Sequence, residues 1–273
     1  MSQYNYNTRQ HYTCQWNNIF FVHYFRWEES RFQIYQVLKS IAASDACFYH
    51  SANLKFLFFP DHIKSKLLVF EWKNNNFTEI QSVQTPSRTQ TCTSFFINNE
   101  LYVATGGWAP SNATTIYKWS GTQFLEFQIL DTSYVSRLSH IVVGHHVLLA
   151  AASMISADSS FAAHSNVYRL NGSRFTLFDA VTTQASRSAR FFVVLGNIFL
   201  AVANQGRRIG GGKASSSIYK VTQDRLVPHQ EIRTSAASDI WPFVYNGQQF
   251  LFVANTHDGD AFTTNSTVYR WQE

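Results

Sequence analysis

The sequence predicts an all-β chain, a β-propeller of four-stranded antiparallel blades, and three observations carry that prediction. One aromatic motif returns six times at a near-constant step. The composition favours strands over helices. The segments between motifs divide into hairpins bounded by polar turns.

The motif is an aromatic residue, any residue, then Trp or an apolar residue, with a second apolar residue five positions on and Gln four further. It reads Phe25-Arg26-Trp27…Phe32…Gln36, Phe70-Glu71-Trp72…Phe77…Gln81 and Tyr117-Lys118-Trp119…Phe124…Gln128. Tyr168-Arg169-Leu170…Phe175…Asp179 and Tyr219-Lys220-Val221…Leu226…Gln230 follow, and Tyr269-Arg270-Trp271 runs into the C-terminus. The third motif residue falls at 27, 72, 119, 170, 221 and 271, in steps of 45, 47, 51, 51 and 50. The internal spacing never varies, so these are repeats. Their approximate bounds are 1–36, 37–83, 84–131, 132–181, 182–233 and 234–273, within a single domain of residues 1–273.

Apolar residues are 45% of the chain, enough for a core, while charged residues are only 14% and Phe (24), Tyr (13) and Trp (7) are abundant. Aromatic and β-branched side chains pack well on pleated sheets, and a disordered chain has the opposite balance. The formal charge of +5 is mild and Lys and Arg are scattered, which argues against nucleic acid as a partner. No apolar run is long enough to span a bilayer, so no membrane insertion is expected. The start, Met1 to Asn7, lacks the basic and apolar regions of a signal peptide, which leaves a cytoplasmic origin open. Cys14, Cys47 and Cys92 fit neither a disulfide framework nor a zinc spacing, and leave room for one bridge.

Each repeat resolves into two hairpins. The aromatic triplet, a polar turn such as Lys73-Asn74-Asn75-Asn76 or Asn171-Gly172-Ser173, and the Phe-x-x-x-Gln segment form one of them. In the other, Phe95-Phe96-Ile97 turns at Asn98-Asn99, Phe191 to Val194 turns at Gly196-Asn197, and Phe243-Val244-Tyr245 turns at Asn246-Gly247. The strands that follow, Phe199 to Ala203 and Phe250 to Ala254, are apolar on both faces, as strands sandwiched between sheets are. The count favours six blades, the ring closed by N- and C-terminal strands, with Tyr4 to Tyr6 and Tyr12 to Trp16 pairing locally. In a five-blade alternative, Arg31 to Gln36 complete the last blade.

These residues resemble the epilepsy-associated repeat, EAR or EPTP. Its marks are the Tyr-x-Trp strand, the Phe…Gln strand, a Ser-Asp step, here Ala43-Ser44-Asp45 and Ala237-Ser238-Asp239, and a Leu-x-Val-Ala-Asn strand. The last is clearest in Leu200-Ala201-Val202-Ala203-Asn204 and Leu251-Phe252-Val253-Ala254-Asn255. The resemblance covers nearly the whole chain from residue 20 and implies an extracellular propeller used for protein–protein adhesion.

The step between blades is the first candidate site. It reads Ser44-Asp45, Ser87-Arg88, Ser136-Arg137, Ser186-Arg187 and Ser238-Asp239. Equivalent positions on a ring face its axis together, so Asp45, Arg88, Arg137, Arg187 and Asp239 are expected around one mouth of the channel. There they form either a site for an acidic partner or a structural ring of paired charges. The loops before the aromatic strand are the second candidate. They offer Trp108, in Gly106-Gly107-Trp108-Ala109-Pro110, as an exposed stacking surface, and Arg207, Arg208 and Lys213 as a basic loop that fails the phosphate-binding spacing. Asp258-Gly259-Asp260 has too few carboxylates for calcium, and Gly144-His145-His146 reads as a turn. No metal or cofactor is expected. Asn76, Asn112, Asn171 and Asn265 sit in N-glycosylation sequons.

The expected function is non-enzymatic binding, with an extracellular protein or glycan as partner. Recognition of a protein through the propeller-face loops comes first and a multivalent lectin is the alternative. An enzyme with an axial site ranks third. Few charges and many aromatics also point to a homo-oligomer.

Overall fold

A computed structural model describes residues 20–28, 30–40, 42–144, 146–206, 214–258 and 264–272. Among them lie 21 strands in six antiparallel sheets. The first sheet is a hairpin of β1 (Phe20–Glu28) and β2 (Arg31–Ser40). The second holds β3 (Cys47–His50), β4 (Lys55–Asp61), β5 (Lys66–Lys73) and β6 (Asn76–Gln84), and the third β7 (Arg88–Ile97), β8 (Glu100–Trp108), β9 (Thr114–Trp119) and β10 (Phe124–Leu130). The fourth is β11 (Val135–Val143), β12 (His146–Ser153), β13 (Ala162–Asn171) and β14 (Arg174–Gln184). The fifth is β15 (Ser186–Val194), β16 (Asn197–Asn204), β17 (Ser216–Val221) and β18 (Leu226–Ile232), and the sixth β19 (Ala237–Tyr245), β20 (Gln248–Asn255) and β21 (Thr267–Arg270).

The strands of each sheet follow one another as a meander, and consecutive sheets pack face to face. This is a β-propeller. In the four complete sheets the aromatic triplet ends the third strand and the Phe-x-x-x-Gln segment opens the fourth. β2 pairs with β1 through Trp27↔Phe32, so residues 31–36 do not complete the last sheet and the five-blade alternative falls. Tyr4 to Tyr6 and Tyr12 to Trp16, expected to pair locally, lie outside the described residues.

The core lies between the sheets. Leu148, Ala150 and Val167 of the fourth sheet share one cluster with Ala189, Leu200, Val202 and Leu226 of the fifth. Small residues on the middle strands let the sheets approach. A Cβ on Gly106 would lie 2.7 Å from Val135 Cγ1 of the next sheet.

The motif residues lock consecutive sheets together. Trp72↔Phe77 and Trp119↔Phe124 are register partners, with ring centroids 4.9 Å apart in both pairs. The Phe also enters the neighbouring sheet, where the Gln of that sheet's last strand clamps its backbone. Gln81 accepts from Phe124 N at 2.8 Å and donates to Phe124 O at 2.9 Å. Gln36 does the same to Phe77 and Gln128 to Phe175, and Asp179 accepts from Leu226 N at 2.7 Å. This is why the spacing from Phe to Gln is invariant: one residue fills the socket and the other, four positions on, seals the next.

Candidate functional site at the axial mouth

Strands β3, β7, β11, β15 and β19 run side by side at the inner edge. Register fixes their direction. Arg88 pairs with Trp108, Val135 with Ser153, Ser186 with Asn204 and Ala237 with Asn255. The inner strands therefore start at the end of each sheet where the loops before the aromatic strand emerge. A cavity of about 430 Å³ opens among the inner strands, its lining including Asp45, Arg137, His140, Arg190 and Trp241.

Each inner strand is entered through a β-bulge. The register shifts at Gln90, Ser136, Arg187 and Ser238, and Ser44 sits alike between the Ala43↔Asp61 bridge and Cys47↔Phe58. The serines stitch the bulge. Ser136 Oγ donates to Ala152 O at 3.0 Å and to Ser186 O of the next sheet at 2.7 Å, and Ser238 Oγ donates to Ala254 O at 3.1 Å. The residue after the bulge heads each inner strand, so the equivalent ring is Asp45, Thr91, Arg137, Ser188 and Asp239; Asp45 and Arg137 line the cavity, while Thr91 and Ser188 are buried behind it. Arg88 and Arg187 do not belong to it. Arg88 precedes the bulge and is exposed beside Trp108. Arg187 is itself the bulged residue, and its guanidinium points to Met154 Sδ at 3.2 Å. Aligning on the Ser-x dipeptide slipped the register in these two repeats.

The sequence reading missed Arg190, two residues beyond Ser188 on the same side of β15. Its guanidinium lies 3.6 Å from Asp239 and 4.1 Å from the Trp241 ring centroid. Burial pulls its pKa down and Asp239 opposes the shift. Arg137 lies 3.6 Å from Asp45. Asp45 also accepts from Thr91 Oγ1 at 2.8 Å and from Ala46 N at 2.9 Å, and Thr91 in turn accepts from Leu138 N at 3.3 Å, which wires three sheets together. Two arginines thus meet two aspartates, so the mouth is charge-balanced rather than cationic. The Nε of both arginines is buried without a partner among the described residues. Half-exposed Trp241 provides the aromatic wall.

His140 donates to or accepts from Thr93 Oγ1 through Nδ1 at 2.7 Å, beside the Phe95 ring. Burial pushes its pKa down to about 4. An unfolded His titrates near 6.5, so below that pH the unfolded chain takes up a proton that the folded one refuses. Stability is expected to fall as pH drops from about 6.5 to about 4, by up to about 3 kcal/mol from this one group. His140→Gln should flatten the melting temperature between pH 7 and 4.5, and an unchanged profile would refute the assignment.

At the first seam Cys47 and Cys92 form a disulfide joining β3 to β7, with Cα atoms 5.8 Å apart. The loop candidates fare differently. Gly106 to Trp108 belong to β8 rather than to a loop. A Cβ on Gly107 would lie 2.7 Å from Arg88 O, so glycine lets the strand run on. Trp108 is not an open stacking surface: it is partly buried, its ring 5.0 Å from that of Tyr134. Arg207, Arg208, Lys213, His145, Gly259 and Asp260 lie outside the described residues. Asn204, which ends β16, accepts from Gln184 N at 3.1 Å and donates to Ser215 O at 2.9 Å, tying the link between sheets to the loop.

Comparison with known proteins bears on this geometry. The EPTP domain matches residues 174–220 and 225–272, each window running from a fourth strand to the third strand of the next sheet. The chain thus matches EAR/EPTP repeats over these two stretches. It is 33% identical over 174 residues to the human thrombospondin-type laminin G domain and EAR repeat-containing protein, covering 62% of this chain and 25% of that protein. It is 35% identical over 120 residues to the mouse protein of that name, covering 43% and 18%. The matched stretches thus span a quarter or less of these relatives. Among solved structures, a Lactobacillus plantarum protein superposes with a TM-score of 0.67 at 16% identity over 95% of this chain and 76% of its own. A putative 6-phosphogluconolactonase from Bacteroides uniformis gives 0.59 at 12% identity over 82% and 71%. At these identities the likeness is one of fold. In this chain the Tyr-x-Trp and Phe…Gln marks are the seams between blades, and the Ser-Asp step is the bulge at the head of the inner strand.

Proposed function

We propose that this chain is a non-enzymatic binding module that recognises an extracellular protein at the axial mouth. One observation carries the reading: the mouth is asymmetric although the scaffold repeats. Equivalent positions hold Asp45, Thr91, Arg137, Ser188 and Asp239 in one layer and Cys47, Thr93, Ser139, Arg190 and Trp241 in the next. A lectin that works by multivalency presents like pockets in several blades. A single site of unlike side chains, with an aromatic–arginine pair in its lining, suits one irregular protein surface. The Cys47–Cys92 bridge supports an oxidising, extracellular setting.

The test is binding of the multimerised chain to cells treated with protease or with broad-specificity glycosidases. The protein reading expects protease to abolish binding and glycosidases to spare it. Loss after glycosidase alone would make the chain a lectin.

A further inference from the structure

The four sequons sort by position in the folded chain. Asn76 opens β6, Asn171 closes β13 at the turn into β14, Asn112 lies between β8 and β9, and Asn265 lies just before β21. All four are exposed. They fall at the ends of strands, in a chain built mostly of strand, and none lies on an inner strand. Asn112 and Asn265 sit at the mouth end of their sheets, Asn76 and Asn171 at the opposite end.

The last strand of each complete sheet is also its outer edge. β6, β10 and β14 expose Ile80 (37%), Leu125 (49%), Ile129 (41%) and Leu177 (58%). An exposed edge with apolar side chains is a template for pairing with another chain. Asn76 and Asn171 stand where two of these edges begin.

We propose that the chain is N-glycosylated at Asn76, Asn112, Asn171 and Asn265, and that the glycans on Asn76 and Asn171 shield the edges of β6 and β14 from self-association. The proposal rests on the extracellular reading above. In each transfer Nδ2 of the Asn loses a proton and bonds to the sugar C1 of a lipid-linked oligosaccharide. The C1–O bond to the lipid pyrophosphate breaks, and nothing is oxidised or reduced. A glycan is bulky, strongly hydrated and confined to the surface, so at the start of an edge strand it obstructs an incoming strand without touching the core.

The full chain is to be expressed behind a cleavable signal peptide in animal cells, or translated into microsomes where secretion fails. Peptide N-glycanase in heavy-oxygen water then marks each glycan-bearing Asn as labelled Asp. Label at three or four sites is expected; label at one or none overturns the assignment. Mapping of the Cys47–Cys92 bridge in the same material tests the oxidising compartment separately. The Asn76→Gln/Asn171→Gln variant should show a several-fold larger oligomer fraction by light scattering, with an unchanged far-ultraviolet spectrum. An unchanged monomer fraction would overturn the shielding role.

Discussion

Phe124→Ala is expected to destabilise the chain by about 3–5 kcal/mol, the range for a fully buried aromatic in a core that cannot collapse around the void. Phe124 is 1% exposed. Its ring centroid lies 5.2 Å from Phe58, 5.5 Å from Phe56 and 4.9 Å from Trp119. It therefore plugs the seam between the second and third sheets, and the Gln81 clamp holds its backbone in place. A Gln81→Leu variant should lose less, about 1–3 kcal/mol, because it orphans the buried N–H and C=O of Phe124 but leaves the ring seated. Leu125→Ala, one position on and half exposed, should change stability by no more than about 0.5 kcal/mol. Chemical denaturation followed by tryptophan fluorescence gives all three values. A Phe124 effect as small as that of Leu125 would mean that the motif is not the seam.

The second large effect belongs to the disulfide. Replacing Cys47 and Cys92 by Ser should lower stability by about 4 kcal/mol, since a bridge with a sequence separation of 45 removes that much chain entropy from the unfolded state. The loss should be visible as a drop in denaturation midpoint. Reduction of the wild-type protein should reproduce it, and reduction of the double variant should do nothing further. At the equivalent place in the fourth and fifth sheets, Ser139 Oγ donates to Ala189 O. The first complete seam thus has a covalent link where a later one has a hydrogen bond. A midpoint unaffected by reduction would show that the bridge is absent or thermodynamically idle.

The repeat was legible because its two most regular residues do a regular job. Phe77, Phe124 and Phe175 each fill a socket, and Gln36, Gln81 and Gln128 each seal the one beyond, so their spacing cannot drift. The mouth was harder to read because the Ser-x dipeptide does not report where the bulge falls: the ring residue is Thr91 rather than Arg88 in one repeat and Ser188 rather than Arg187 in another. Ser186-Arg187 looks like Ser136-Arg137, yet in one the Arg is the bulged residue and in the other it follows the bulge. A longer rule recovers the ring. Thr91, Arg137, Ser188 and Asp239 each lie seven residues before the first residue of the inner hairpin turn, at Asn98, Gly144, Leu195 and Asn246. Arg190 had no such signal, because its partners Asp239 and Trp241 belong to the next sheet, about fifty residues away. The paired glycines before Trp108 misled for another reason. Glycine usually marks a loop, but here it admits the Arg88 carbonyl beside a continuing strand.

The central claim is that the asymmetric mouth is the binding site, and the most direct measurement is the affinity of Trp241→Ala and Arg190→Ala chains for cells that bind the wild type. Both variants should fold, because Trp241 is half exposed and the Arg190 ion pair is a loose one. Each truncation at this aromatic–arginine pair should weaken binding at least about 10-fold. Leu177→Ala, on the outer edge, should bind as the wild type does. Full binding by both mouth variants, with folding intact, would place the partner elsewhere on the propeller and contradict the account.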